Sequence, residues 1–181
     1  MIRSRCVVGI DPSLTGFAMV AMYQDGTTVE KEIKTKAVKT LSDRMTRLRT
    51  LAREAESFVK EHIPELCLIE GYAFGAKGRA IISLGELGGV VRHFVVGLAD
   101  NTVEVPPSTV KRFLTGKGNA NKLDVVQKLG RRFDREFKTD NIADAFGLAL
   151  LGSVVLDFRS PNTNFERDAV SLVKTMIQQE T

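Results

Sequence analysis

Several carboxylates in this sequence stand at places where core packing gives them little reason to be. Three of them follow or open strongly apolar stretches, and a fourth lies one helical turn earlier: Asp11 after the run 6–10, Glu70 after the run 66–69, Asp144 near the start of an apolar helix, and Asp140 before it. A strand delivers its last side chain to the edge of the sheet, where open α/β sheets bind ligands. If the two strands are neighbours and the helix packs across them, three or four carboxylates converge.

Converging carboxylates repel one another, and a bound divalent cation is the usual resolution. Oxygen ligands suit Mg²⁺ or Mn²⁺. The two histidines of the chain, His62 and His93, are not spaced as metal ligands. Each acid also has a structural alternative, because Asp11 could form an Asx turn and Asp140 and Asp144 could favour the positive end of a helix.

Positive charge is concentrated in one segment of the chain. The whole sequence has 26 Lys and Arg against 22 Asp and Glu, yet residues 108–135 alone hold eight bases and two acids. That segment is therefore +6 and the remainder is −2. Local positive charge suits a polyanion such as nucleic acid, and a solvated helix face is the alternative. Lys122 could neutralise a phosphate, or it could be a solvated lysine at the start of a helix.

Length and composition predict one globular domain over residues 1–181, with 160–181 as a C-terminal helical extension. The chain has 181 residues, of which 43% are hydrophobic, and its two cysteines exclude a disulfide-rich scaffold. The longest uncharged apolar run, residues 145–156, is shorter than the roughly 20 residues of a membrane-spanning helix. No secretory segment is evident, so we expect a cytoplasmic protein with reduced thiols.

The apolar pattern predicts an α/β fold with a mixed five-stranded sheet and helices on both faces. An Asp25-Gly26 turn joins two of the first three strands, which predicts an antiparallel meander. Ser42 is the predicted N-cap of the first helix, which stops before Pro64. Strands are predicted over 5–10, 17–23, 27–34, 66–69 and 102–105, and the later helices over 79–98, 108–114, 122–133, 141–158 and 165–179.

Five segments, in order, resemble the RuvC family of Holliday junction resolvases, and the likeness is strongest to its phage-type members. The resemblance spans residues 5–155 and rests on segments 9–17 (GIDPSLTGF), 69–70 (IE), 83–89 (SLGELGG), 117–122 (KGNANK) and 140–145 (DNIADA). It implies a ribonuclease H-like fold and metal-dependent nicking of four-way DNA junctions, in recombination, repair or genome packaging. A phage-encoded member would act in the host-cell cytoplasm.

The resemblance also implies roles for individual residues. Asp11, Glu70 and the Asp140/Asp144 pair would be the metal-binding acids, and Lys111 and Lys122 match basic positions that lie near the DNA. Lys117 is a further candidate for DNA contact.

The sequence departs from the family pattern in two places. The loop after Asp11 is about two residues shorter than usual. The final acidic pair is usually D-x-x-D, but Asn141 stands three residues before Asp144, and the acid is Asp140. Positions i+3 and i+4 share a helix face, so Asp140 stays a candidate beside Asn141.

The expected chemistry needs two Mg²⁺ ions, or Mn²⁺ in their place, held by shared carboxylates about 4 Å apart. Such a pair activates a water and stabilises the leaving 3′ oxygen. Tyr72 and Phe74, in a glycine-flanked segment beside the site, could stack on bases, although core packing is the alternative for one of them. A symmetric junction needs two nicks, which favours a homodimer. The stretch 84–89 could permit close helix packing at such an interface, or approach of the helix to its own sheet.

Two functions of other classes stay open at this point. A branched-DNA binding protein that does not cleave would keep the same fold, and the intact set of acids argues against it. An actin-like phosphotransferase also opens with an Asp-bearing strand and a hairpin. Such folds duplicate the domain and are much longer than 181 residues.

Overall fold

A computed structural model describes residues 4–72 and 79–180 of the chain, with side chains from residue 81 onward in the second range. The elements follow the order β1 (Cys6–Asp11), β2 (Gly16–Tyr23), β3 (Thr28–Lys34), α1 (Leu41–His62), β4 (Leu66–Glu70), α2 (Arg79–Val95), β5 (Asn101–Val105), α3 (Pro107–Thr115), α4 (Lys122–Phe133), α5 (Asp140–Val155) and α6 (Asn164–Glu180).

The strands form one mixed sheet in the order β3-β2-β1-β4-β5. β1, β2 and β3 are an antiparallel meander, and β4 and β5 continue from β1 in parallel. The predicted turn at Asp25-Gly26 is present, with Gly26 at φ +90° and the Asp25 carboxylate accepting the Thr27 amide at 2.9 Å. The predicted α/β class and mixed five-stranded sheet are therefore confirmed.

Helices cover both faces of the sheet because alternate residues of the central strands point to opposite sides. Val7 belongs to the apolar cluster under α5, and Val8 and Ile10 belong to the cluster under α1 and α2. Both faces of β1 and β4 are buried, which explains their continuous apolar sequences. Cys6 and Cys67 are buried and form no disulfide with each other, and burial raises the pKa of Cys67 to about 12.

Some element ends differ from the sequence prediction. α1 begins at Leu41, and its N-cap is Thr40 rather than Ser42. The Thr40 hydroxyl accepts the Asp43 amide at 3.1 Å and donates to the Asp43 carboxylate, a reciprocal cap that Ser42 would not form. α2 ends at Val95, three residues early, and Gly97 follows with a φ of +85°.

The C-terminal helix α6 packs on α3, α5 and β5 through Ala169, Val170 and Val173. Glu166 in its first turn is 3% exposed and pairs with Arg132 of α4 at 2.7 Å. The last segment of the fold is therefore fixed to the helical layer on the α5 side. No helix in the described ranges combines the length and the apolar character needed to cross a membrane.

Candidate active site

Asp11 and Glu70 end two neighbouring parallel strands. The register pairs Ile10 with Ile69, so the next residue on each strand is the acid. Asp11 is only 6% exposed, and its side chain is hydrogen-bonded to that of Glu70. The Ser13 amide bonds the backbone carbonyl of Asp11 at 3.0 Å, so the carboxylate is directed toward Glu70 rather than engaged in an Asx turn.

Burial and mutual repulsion change the acidity of this pair. Burial, followed by the negative charges of Glu70 and Asp144, raises the pKa of Asp11 well above its ordinary value. Burial and Asp144 also raise the pKa of Glu70, whereas the hydrogen bond from Asp11 opposes that rise. The hydrogen bond between the two groups therefore acts to raise the pKa of Asp11 and to lower that of Glu70.

Asp144 reaches the same place from the first turns of α5. Burial raises its pKa, and the Lys122 ammonium, 3.5 Å away, acts in the opposite direction. Asp140 lies one turn earlier and bonds Lys122 at 2.9 Å, which lowers the pKa of Asp140. Burial acts to lower the pKa of Lys122, but the carboxylates of Asp140, Asp144 and Asp11 raise it overall. Lys122 is thus held as a cation among the acids.

Asn141, rather than Asp140, lines the cavity that these groups share. Its side-chain amide donates to the Glu32 carboxylate on β3 at 3.3 Å and lies over Gly16, where a Cβ atom would overlap it. Because a carboxylate accepts hydrogen bonds only, this contact fixes which end of the amide faces Glu32. Asp140 stands at the rim, paired with Lys122 and with half of its side chain exposed.

The cavity has a volume of about 280 Å³. Residues from six elements and their loops line it, among them Asp11, Glu70, Tyr72, Arg92, Lys111, Lys122, Asn141 and Asp144. The structure therefore brings together most of the predicted site residues. Lys117 is exposed on the loop before α4 and is not part of the lining, and Phe74 lies outside the described residues.

The basic segment 108–135 serves more than one purpose. Lys111 and Lys122 face the cavity. Arg132 pairs with Glu166, and Arg135 pairs with Glu30, each at 2.7 Å. Part of the local charge that suggested nucleic acid therefore joins α4 to α6, and joins the loop after α4 to β3.

Comparison with known proteins decides the family. The model of the RuvC family, described as crossover junction endodeoxyribonuclease RuvC, matches residues 7–151. The chain belongs to the RuvC family. RuvC of Caldanaerobacter subterraneus is 30% identical over 150 residues, which cover 80% of this chain and 89% of that protein.

Solved RuvC structures share the fold of this chain. Thermus thermophilus RuvC superimposes with a TM-score of 0.66 at 20% identity, covering 80% of this chain and 91% of that one. T. thermophilus RuvC in complex with Holliday junction substrate gives 0.63 at 19% identity, covering 81% and 90%. The family resemblance and the ribonuclease H-like fold expected from the sequence are confirmed. The relatives named here are bacterial, so the likeness to phage-type members stays a prediction.

Each buried carboxylate at the site of this RuvC family member has one close partner. Within residues 4–72 and 79–180, no three His, Cys, Asp or Glu side chains are grouped closely enough to hold one metal ion as they lie. Asp11 is bonded to Glu70, and Asp144 to Lys122. A hydrogen bond and an ammonium group thus hold together acids that would otherwise repel.

Sequence reasoning missed two polar residues at this RuvC-type site. Arg92 of α2 lines the cavity, and Glu32 of β3 holds the amide of Asn141. Neither lies in a family segment or at the end of a strand, so only the three-dimensional arrangement identifies them. The one indication of Arg92 in the sequence is that it is a charged residue among apolar ones in the second half of α2.

Proposed function

We propose that this chain is a metal-dependent, structure-selective DNA endonuclease that nicks four-way junctions and so resolves branched DNA in recombination, repair or genome packaging. Family membership supports the reaction class, and a relative bound to Holliday junction substrate supports the DNA. The observation that carries the proposal is the cavity in which Asp11, Glu70 and Asp144, from three separate elements, face Lys122. Nothing in that arrangement favours the phosphotransferase alternative.

The donors fit hard divalent cations by their chemistry. Asp11, Glu70 and Asp144 offer only oxygen ligands, and burial raises the pKa of each even though the charge of Lys122 opposes that rise. Asn141 or Asp140 would complete the set. We propose two Mg²⁺ ions per site, with Mn²⁺ able to substitute. Bound there, such ions supply an activated water and stabilisation of the leaving 3′ oxygen.

The chain's own residues bind and orient the phosphodiester. Lys122 and Lys111 line the cavity and neutralise phosphate charge, and Glu70 and Asp11 would have to be ionised to act as ligands. Phosphoryl transfer depends on positioning and charge neutralisation rather than on a protein nucleophile. A cavity lined by acids and lysines, with no histidine or thiol among its lining residues, suits this chemistry.

The proposal extends to assembly and location. Two symmetric nicks in one junction need two active sites, which a two-fold homodimer supplies. In α2, a Cβ atom at Gly85 or Gly89 would meet no described atom within 4 Å, so neither glycine is required for packing on its own sheet. That leaves this stretch of α2 available for a partner helix. A protein acting on chromosomal or phage DNA in this way is cytoplasmic.

Isosteric neutralisation of the acids tests the proposal. We expect Glu70→Gln and Asp144→Asn each to lower Mg²⁺-dependent cleavage of a synthetic four-way junction by at least about 10³-fold, because each removes a charged oxygen ligand from the site. Junction affinity, measured by gel shift with Ca²⁺, should stay within about threefold of the parent.

Asp157→Asn is the matched control for the neutralised acids. Asp157 is exposed in the loop after α5, and its φ of +60° is one that Asn tolerates. The Asp157→Asn protein should cleave the junction at the rate of the parent. Full activity in Glu70→Gln or Asp144→Asn would contradict the proposal. A parent protein that binds the junction but leaves it intact with both Mg²⁺ and Mn²⁺ would establish the non-cleaving alternative.

A further inference from the structure

Arg92 makes four contacts where β4 leaves the sheet. Its Nε donates to the Glu104 carboxylate on β5 at 2.6 Å, and one Nη donates to the backbone carbonyl of Glu70 at 3.3 Å. The other Nη donates to the Tyr72 hydroxyl at 3.3 Å, and the guanidinium carbon lies 4.5 Å from the centre of the Tyr72 ring. One side chain therefore connects α2, β5, a catalytic strand end and an aromatic ring.

Neighbouring residues are shaped around this arrangement. A Cβ atom at Gly88, one turn before Arg92 on α2, would overlap the guanidinium and lie 2.7 Å from the Tyr72 hydroxyl. At Gly71 a Cβ atom would lie 2.9 Å from a Glu104 carboxylate oxygen. The two glycines thus leave the space that the stacked ring and the ion pair occupy.

The stack is partly protected from water, and this strengthens it. The Arg92 side chain is 19% exposed, which favours both its cation–π contact and its ion pair. Tyr72 keeps 39% of its surface exposed at the mouth of the cavity. Its ring is therefore held in place and is still accessible to a ligand.

We propose that Arg92 is a positioning residue that fixes the Tyr72 ring as a stacking platform for an unpaired base at the junction and anchors the strand end that carries Glu70. This inference rests on the proposed function, since it assigns the ring to branched DNA. It accounts for Gly88, for the Glu104 partner and for the cavity position of Arg92 together. Double-stranded DNA offers no unpaired base, so the platform acts on branched DNA alone.

The chain allows Tyr72 to be observed by itself. It has two tyrosines and no tryptophan, so in a Tyr23→Phe background all tyrosine fluorescence comes from Tyr72. Acrylamide is the quencher, because it is neutral and its local concentration does not respond to the loss of a charge. Arg92→Met removes the cation but keeps an unbranched side chain. Gly88→Ala adds a methyl group that overlaps the guanidinium and so displaces it from the Tyr72 ring.

Gly89→Ala is the matched control, since a Cβ atom at Gly89 would meet no described atom within 4 Å. In Arg92→Met and Gly88→Ala the quenching constant of Tyr72 should rise about twofold, because a released ring exposes more than its present surface. Gly89→Ala should leave it unchanged. Arg92→Lys keeps the charge without the planar fork and should give an intermediate value.

The DNA arm uses the same proteins, each with and without Phe at position 23, and Ca²⁺ in place of Mg²⁺. Arg92→Met should bind a four-way junction about fivefold more weakly, with duplex affinity unchanged, as expected for loss of one base-stacking contact. Tyr72→Ala should match Arg92→Met, and Tyr72→Phe, which keeps the ring but loses the hydroxyl that Arg92 bonds, should lie between Tyr72→Ala and the parent. A general folding defect would lower junction and duplex affinity together.

The outcomes separate this inference from the proposed function. Unchanged quenching in Arg92→Met shows that Arg92 does not hold the ring and overturns the inference, while parent cleavage still supports the function. Raised quenching with unchanged junction affinity also overturns it, since the ring would then have no role in binding. A parent that neither binds nor cleaves junctions overturns the proposed function, and the platform with it.

Discussion

Asn141 and Asp140 stand where the usual family pattern has a single acid. Asn141 occupies the position three residues before Asp144 and lines the cavity, with its amide nitrogen held by Glu32. Asp140 bonds Lys122 at the rim. A planar amide with its nitrogen fixed on one side presents its carbonyl oxygen on the other, which is the ligand type that a hard cation accepts.

Asn141 should therefore matter more for cleavage than Asp140. We expect Asn141→Ala to lower the single-turnover rate about 100-fold, and Asp140→Ala less than about tenfold, since Asp140 acts only through Lys122. Mn²⁺ affinity, measured by calorimetry without DNA, should fall in the first variant and stay nearly constant in the second. This assignment would be contradicted if Asp140→Ala lowered both the single-turnover rate and the Mn²⁺ affinity more than Asn141→Ala does.

His62 predicts a pH dependence of stability that is independent of the active site. Its Nδ1 and the Tyr23 hydroxyl share a hydrogen bond of 2.7 Å, and its buried Nε2 has no hydrogen-bond partner among the described residues. Burial lowers the pKa of His62, with the charge of Glu61 opposing. A folded pKa below the unfolded value of about 6.5 means that this contribution is present above pH 6.5 and is lost as pH falls through the folded pKa.

The contribution of His62 to the free energy of unfolding should consequently decline between pH 7 and pH 5. We expect the decline to be smaller in His62→Gln, measured by urea unfolding at each pH, because the variant has no imidazole to protonate. His93→Gln, which changes an exposed histidine, is the control and should keep the parent profile. A parent and His62→Gln with parallel profiles would exclude His62 as the cause.

At the scale of whole elements, the position of α5 on the sheet determines how close Asp144 comes to Asp11. The helix crosses β1 at Gly9, where a Cβ atom would overlap the Ala145 carbonyl and lie 2.6 Å from the Ala149 amide. Backbone meets backbone at this point, so the separation of helix and strand depends on the absence of a side chain. Gly9 lies two residues before Asp11, and Ala145 follows Asp144.

Gly9→Ala should accordingly push α5 away from β1. We expect a loss of about 3 kcal/mol in the free energy of unfolding, in the range of overpacked cores, together with a lower cleavage rate. Gly89→Ala, in an open position on α2, should keep or slightly raise stability, as Ala favours helix over Gly. Equal stability of Gly9→Ala and the parent in urea would show that the helix has room to spare.

The elements also show which parts of the site are readable from sequence. Asp11 and Glu70 could be predicted because each ends an apolar run, and a run of core residues fixes the direction of a strand end. The contact of Glu32 with Asn141 spans 109 residues, and it depends on the strand order that places β3 beside β2. Local patterns hold no information on such pairs, and the same is true of Arg92 with Glu104.

Competition between nearby signals explains the errors at element ends. Both Thr40 and Ser42 are good N-cap residues, and only the position of Asp43 selects Thr40, through the reciprocal hydrogen bonds. The sequence allowed two explanations for the glycines of α2, which were close packing on the sheet and close packing on a partner helix. Neither explanation applies to Gly88, because its lack of a side chain leaves space for Tyr72 and Arg92.

Over the whole molecule, charge separates into a cavity of acids and a basic flank. The net charge of +4 conceals this separation. Arg132 and Arg135 of the basic segment are engaged within the fold, so the part of it that faces DNA is smaller than its formal +6 suggests. Lys111 and Lys122 line the cavity, and Lys117 is exposed beside it.

Two kinds of lysine contact with DNA should therefore be separable by salt. Each phosphate contact adds about 0.9 to the slope of log affinity against log salt concentration. Lys117→Gln should reduce that slope for junction binding by about 1 and leave the single-turnover rate at saturation unchanged, because Lys117 lies outside the cavity. Lys111→Gln should also lower the rate, since Lys111 acts to lower the pKa of both Glu70 and Asp144.

Lys39→Gln is the control for the salt experiment, as Lys39 is exposed before α1 and far along the chain from the basic segment. It should alter neither the slope nor the rate. If Lys117→Gln keeps the slope of the parent, Lys117 does not contact DNA. One with the expected slope but a slower rate at saturation would mean that the loop before α4 reaches the scissile phosphate, and that the catalytic surface is larger than the cavity between the acids and Lys122.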